Sequence, residues 1–144
     1  MSYWDTSALV KLSLPEADSV QFVQSAGTTS RIVTSDIARF EAQTVFRRRE
    51  AESALPAGES AILSADLARD VASGKIIVQA VDRDVEREFV AVLERCFSQT
   101  PPIFIRTNDA LHLATAKVAG ETEFVTADAR QRGAAQLLGL TVHP

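Results

Sequence analysis

Short β-branched runs alternate with longer helical runs along almost the whole chain, and this alternation limits the fold more than any other feature. Strands are predicted near residues 2–4, at 31–34 (RIVT), 75–81 (KIIVQAV), 123–126 (EFVT) and 140–143 (LTVH). Between them lie helical segments. One is entered through Pro15 and Glu16, since proline and an acid suit a first turn. A long one, capped by Ser35 or Asp36, runs past Arg49. Others cover 58–73, 82–97, 107–119 and 129–138, and Pro101–Pro102 breaks the chain ahead of the helix at 107. Gly27, Gly74, Gly120 and Gly139 each follow a helix-like segment, where a left-handed residue is wanted. Such a βα alternation predicts an α/β domain with a mostly parallel sheet of about five strands. In sheets of this kind, ligands bind beyond the carboxyl ends of the strands.

The chain has 144 residues, expected to form a single domain, 1–144, with room for a real core. Fifteen basic against nineteen acidic residues give a net charge of −4. This excludes nucleic-acid binding through overall basicity but leaves a local basic patch or a bound metal. The one cysteine, Cys96, forbids an internal disulfide and fits a reducing compartment. No secretory signal and no membrane-length apolar run is visible, so a soluble cytoplasmic protein is expected.

The carboxyl ends of the predicted strands carry acids. In MSYWDTSALVKL, Asp5 closes the first strand and is followed by Thr6 and Ser7, each a good N-cap for a helix beginning near Ala8. Asp128 closes the fourth strand in FVTAD, and Asp5 and Asp128 each also suit a helix N-cap. Counting about 100° per residue from Ile37 puts Phe40, Glu41, Thr44, Val45 and Arg48 on one side of the long helix. Glu41 then sits near the middle of a largely apolar face. A carboxylate there is costly unless it pairs, with Arg39 or Arg48, or binds a cation. Asp109 opens a helix that is apolar nearly all round, where Thr107 and Asn108 are alternative caps. Four acids from four segments point to one pocket. Carboxylates held close repel unless a cation neutralises them, and an all-oxygen set suits Mg²⁺ or Mn²⁺ rather than zinc. Such an ion is the usual partner of phosphate-ester hydrolysis.

With those residues in place the chain resembles the PIN domain family, and within it the VapC-type toxin nucleases. The likeness rests on YWDTSALVKL, on Glu41 within DIARFEAQTVFRR, on RTNDALHLATA, and on FVTAD followed by RGAAQLLGLTV. It implies an α/β/α sandwich and a Mg²⁺- or Mn²⁺-dependent endoribonuclease that leaves a 3′-hydroxyl and a 5′-phosphate. Asp5, Glu41, Asp109 and Asp128 match the family's acidic quartet. Asp5 and Asp109 are then the main metal ligands, with Glu41 and Asp128 on a second ion or on waters. Thr6 or Ser7 matches the hydroxyl beside the first acid, and Thr126 the hydroxyl before the last. Some relatives carry one more acid, where this chain has Ala129, Arg130 and Gln131. The resemblance also implies an RNA substrate, a VapB-like antitoxin whose tail fills the groove, and a homodimer through the early helices.

Arg47, Arg48 and Arg49 either track an RNA backbone or solvate a helix end. Arg130 reads as an exposed helix arginine or a phosphate contact. His112, among leucines, reads as a hydrogen-bonded structural histidine, and Trp4 and Cys96 as core. A haloacid-dehalogenase-type phosphohydrolase wants a second acid two residues after the first, where Ser7 stands. A serine hydrolase wants a G-x-S-x-G setting that Ser7 lacks. An RNA-maturation nuclease and an idle PIN binding module remain as alternatives on the same fold.

Overall fold

The computed structural model describes residues 1–144. Five strands, β1 (Ser2–Trp4), β2 (Ile32–Ser35), β3 (Ile76–Gln79), β4 (Glu123–Val125) and β5 (Thr141–His143), form one sheet in the order β3-β2-β1-β4-β5. Every pairing is parallel. The helices are α1 (Thr6–Leu9), α2 (Ser19–Thr28), α3 (Asp36–Ala51), α4 (Glu59–Ala72), α5 (Arg83–Phe97), α6 (Thr107–Val118) and α7 (Ala129–Leu137). A 3-10 turn at Val10–Leu12 extends α1.

The two-residue period of the strands sorts the core into two layers. Tyr3, Val33 and Phe124 stand side by side in register and face α5, α6 and α7. Trp4, Ile32, Ile76 and Val125 point the other way, against Ala8, Leu9, Phe22 and Ala38 of α1, α2 and α3. A central sheet covered on both faces explains why its strands read as continuous apolar runs. Cys96 and Trp4 are buried in these layers, as expected.

The first long helix begins at Ser19 rather than at Pro15–Glu16. Lys11 gathers the carboxylates of Glu16 and Asp18, while Ser19 Oγ donates to Leu14 O and accepts the Glu16 N–H. These bonds hold 14–18 as a loop and delay the helix by a turn. Ser35 is the cap of α3.

The buried face of α3 is also not the predicted one. Ala38, Ala42 and Phe46 are buried, whereas Phe40 is 68% exposed and Thr44 and Arg48 face solvent. The small alanines let α3 approach α1 closely, a packing that a count of large apolar side chains misses. Glu41 therefore lies at the edge of the packed face.

Gly74, Gly120 and Gly139 adopt positive φ after their helices, but Gly27 lies inside α2 with nothing within 4 Å of a built Cβ. Gly27→Ala is therefore expected to stabilise the protein by about 0.5–1 kcal/mol. Gly120→Ala, at φ 73°, is expected to cost about 1 kcal/mol. Urea denaturation of the two variants checks both signs.

Candidate active site

The connection order reverses once in this sheet, between β1 and β4. Winding proceeds from β1 through β2 to β3 on one side, then resumes at β4 and β5 on the other. The two strands diverge into their following helices at that point and leave a crevice beyond their carboxyl ends. Trp4 pairs with Val125, so Asp5 and Thr126 emerge side by side, with the Asp5 N–H bonded to Val125 O at 3.2 Å. A cleft of about 220 Å³ opens there. Asp5, Glu41, Asp109 and Asp128 all line it, together with Thr6, Ser7, Arg106 and His112.

Asp5 is 2% exposed. Its Oδ1 accepts the Ala8 N–H at 2.9 Å and the Ser7 hydroxyl at 2.8 Å, and its Oδ2 accepts the Thr126 hydroxyl. Burial raises its pKa above the ordinary aspartate value, against the opposing pull of these donors. Asp5 is thus the N-cap of α1 and a cleft residue at once, so the cap and site readings do not exclude each other. Ser7 and Thr126 orient Asp5, and Ser7 Oγ is fixed in turn by the Ala127 N–H at 2.9 Å. Thr6 serves a different acid: its hydroxyl donates to Glu41.

Glu41 accepts from Thr6, from Asn108 Nδ2 at 2.7 Å and from His112 Nε2 at 3.0 Å. Burial pushes its pKa up, but these three donors outweigh it and hold the carboxyl down at about 2. Neither predicted arginine partner is used, since Arg39 pairs with Asp36 at 3.5 Å. Asn108 is not a cap either: the N-cap of α6 is Arg106, whose side chain makes no capping bond to the helix.

His112 was not distinguishable from a core histidine in sequence, and it is both buried and part of the cleft. A carboxylate only accepts, so Nε2 carries the proton that goes to Glu41. Nδ1 then takes the Tyr3 hydroxyl at 2.8 Å. Burial raises the Tyr3 pKa, keeping it a neutral donor. A chain of hydrogen bonds thus runs from the sheet core to the cleft.

Arg106 is the second residue that sequence reasoning missed, although it stands in the quoted RTNDALHLATA. Its Nε donates to Asp109 Oδ2 at 2.8 Å and its Nη2 to Asp109 Oδ1 at 3.3 Å and Asp128 Oδ2 at 2.7 Å. Asp128 also caps α7 through the Arg130 N–H, while the Arg130 side chain is 70% exposed. No three acids are grouped as ligands of one ion, because Asp109 and Asp128 are turned onto Arg106. The donor chemistry nonetheless fits a hard divalent cation: four carboxylates line one cleft, and the Arg106 guanidinium already stands as a cation against two of them, Asp109 and Asp128.

Of the three arginines after Glu41, Arg47 and Arg48 are exposed along an open groove with Phe40, Gln43 and Ser64. Arg49 is taken up by Glu16.

The PIN domain family profile matches residues 2–137. The chain is 34% identical to ribonuclease VapC46 of Mycobacterium tuberculosis over 142 residues, 97% of this chain and 94% of the relative. Its fold is shared by the crystal structure of M. tuberculosis VapC20, a sarcin–ricin loop cleaving toxin, with a TM-score of 0.71 at 19% identity over 93% of this chain and 95% of that one. It is likewise shared by VapBC2 of Rickettsia felis bound to a promoter DNA fragment, with a TM-score of 0.64 at 16% identity over 99% and 98% of the two chains. A profile match and a relative that both run nearly end to end, on a sheet with its acids at the switch point, place this chain in the PIN domain family, with the VapC type.

Proposed function

We propose that the protein is an endoribonuclease, the toxin of a toxin–antitoxin pair, hydrolysing RNA phosphodiesters with the aid of Mg²⁺ or Mn²⁺. The observation that carries this reading is the meeting of four carboxylates from four segments in one cleft, on a chain a third identical to a ribonuclease. Asp5 and Asp109 would hold the ion directly, with Glu41 and Asp128 on a second ion or on waters. A divalent ion in this cleft supplies positive charge against the scissile phosphate and makes an attacking water more acidic.

The chain's own residues supply the rest. Ser7, Thr126 and the Ala8 N–H fix the Asp5 carboxyl, so it offers a pre-set acceptor. Glu41, with its pKa near 2, stays ionised at neutral pH and serves as a fixed anion rather than a proton acceptor. Arg47 and Arg48 are the cations available to an RNA backbone along α3, and Arg130 lies exposed beside Asp128. Cleavage is proposed to leave a 3′-hydroxyl and a 5′-phosphate.

A VapB-like antitoxin is the proposed partner, supported by fold neighbours such as the R. felis VapBC2 complex. A homodimer is proposed through α2, where Val20 and Val23 are 65% and 53% exposed on adjacent turns. No helix is long and apolar enough to cross a membrane.

The direct test is cleavage of a labelled total-RNA pool by purified protein with Mg²⁺ or Mn²⁺, beside EDTA and Asp109→Asn controls. Discrete fragments lost in both controls are expected. Cutting that survives Asp109→Asn defeats the assignment. Absence of cutting by the folded, antitoxin-free protein with either metal favours an idle binding module.

A further inference from the structure

We propose that Arg106 is a built-in counter-ion of the cleft, which a divalent cation displaces from Asp109 and Asp128 and which then binds the RNA phosphate. The inference rests on the metal-dependent reading above and adds a residue to it.

Three features of Arg106 carry it. Its guanidinium engages both oxygens of Asp109 and one of Asp128, an arrangement in which one fork neutralises two acids from different helices. Asp109 and Asp128 are 13% and 20% exposed, while the Arg106 side chain is 61% exposed and hydrogen-bonds only these two carboxylates. It is therefore held by the acids alone and free to leave when they find another cation. Its place in the fold also disfavours it: Arg106 is the N-cap of α6, where the helix dipole repels a positive charge. The acids, not the helix, account for where its guanidinium sits.

The neighbouring arginines do not share the role. Arg130 approaches Asp128 only to 3.7 Å with a side chain 70% exposed, and Arg132 donates to Thr126 O. Residues 102–106, just before α6, have no regular secondary structure, so little backbone order opposes the movement. Once freed, the same planar fork is suited to a phosphate's paired oxygens at the mouth of the cleft.

Two measurements test this. Calorimetric titration with Mn²⁺ alone compares the native protein with Arg106→Gln, Arg106→Lys and Arg130→Gln, each first checked for an unchanged circular-dichroism melt. Arg106→Gln is expected to bind Mn²⁺ about 3- to 10-fold more tightly, the range open to a largely exposed but bidentate ion pair. Arg106→Lys should fall between, and Arg130→Gln should change little. At saturating Mn²⁺, Arg106→Gln should raise the KM for RNA more than it lowers kcat, with partial rescue by lysine.

Unchanged or weaker Mn²⁺ binding by Arg106→Gln overturns the proposal, as does an equal gain in Arg130→Gln, which would mark a general charge effect. Tighter Mn²⁺ with an unchanged KM overturns the phosphate half. Failure of every variant and the native protein to bind Mn²⁺ overturns the metal reading itself, and this inference falls with it.

Discussion

Asp5→Asn is expected to lower RNA cleavage by more than about 100-fold, beyond the 10- to 100-fold typical of groups that merely support a metal ligand. The fold is expected to survive, because asparagine can reuse every bond. Its carbonyl accepts the Ala8 N–H and the Ser7 hydroxyl as Oδ1 does now. Its amide then donates to Thr126 Oγ1, whose own proton turns to Gln131 Oε1, 3.3 Å away.

The stability of the metal-free protein should rise at neutral pH. Burial raises the Asp5 pKa, so the ionised form weakens the fold, and stability is lost as pH climbs from the ordinary value of 3.8 through the raised one. Asparagine has no such loss. Melting curves of the two EDTA-treated proteins from pH 4 to 8 should show a gap in favour of the variant that closes toward acid. A variant that cuts RNA at close to the native rate would remove Asp5 from the catalytic set.

The strand ends were legible because β-branched runs bounded by glycine and acid have few other readings. The acids fell on those ends, and the switch-point rule then gathered them. Glu41 was found for a partly mistaken reason. The packed face of α3 is drawn by Ala38 and Ala42, residues too small to register in a pattern of apolar bulk. Arg106 and His112 were hidden for a different cause. Their meaning lies in partners 22 and 71 residues distant, Asp128 and Glu41, and a lone cation or imidazole carries no trace of that pairing. The same holds for Arg49, one of three similar arginines until the loop ahead of α2 brings Glu16 to it. Patterning located the elements and the ends of the strands. Partner choice among polar side chains needed the packed molecule.

His112→Ala is expected to produce the largest loss of stability among cleft substitutions, about 3 kcal/mol. The imidazole is 3% exposed, so its removal leaves a cavity beside the sheet. It also strips the Tyr3 hydroxyl of its acceptor and Glu41 of one of three donors. Tyr3→Phe removes one end of the same chain without a cavity and should cost about 1–2 kcal/mol. The double variant should lose less than the sum, since the Tyr3–His112 bond is counted in both.

Glu41 supplies a signature that a simple packing defect lacks. Its folded-state pKa of about 2 lies below the ordinary 4.5, so the carboxylate stabilises the native state above pH 4.5 and that contribution is lost as pH falls toward 2. Without His112 much of it is already gone. Denaturant titrations should therefore show the gap between native protein and His112→Ala at full size above pH 4.5 and narrowing on the way to pH 2. A gap constant across that range would reduce His112 to a filler of space. A narrowing gap makes it the residue that holds Glu41 ionised and aimed, and cleavage at neutral pH should then fall about 10-fold or more with the same substitution.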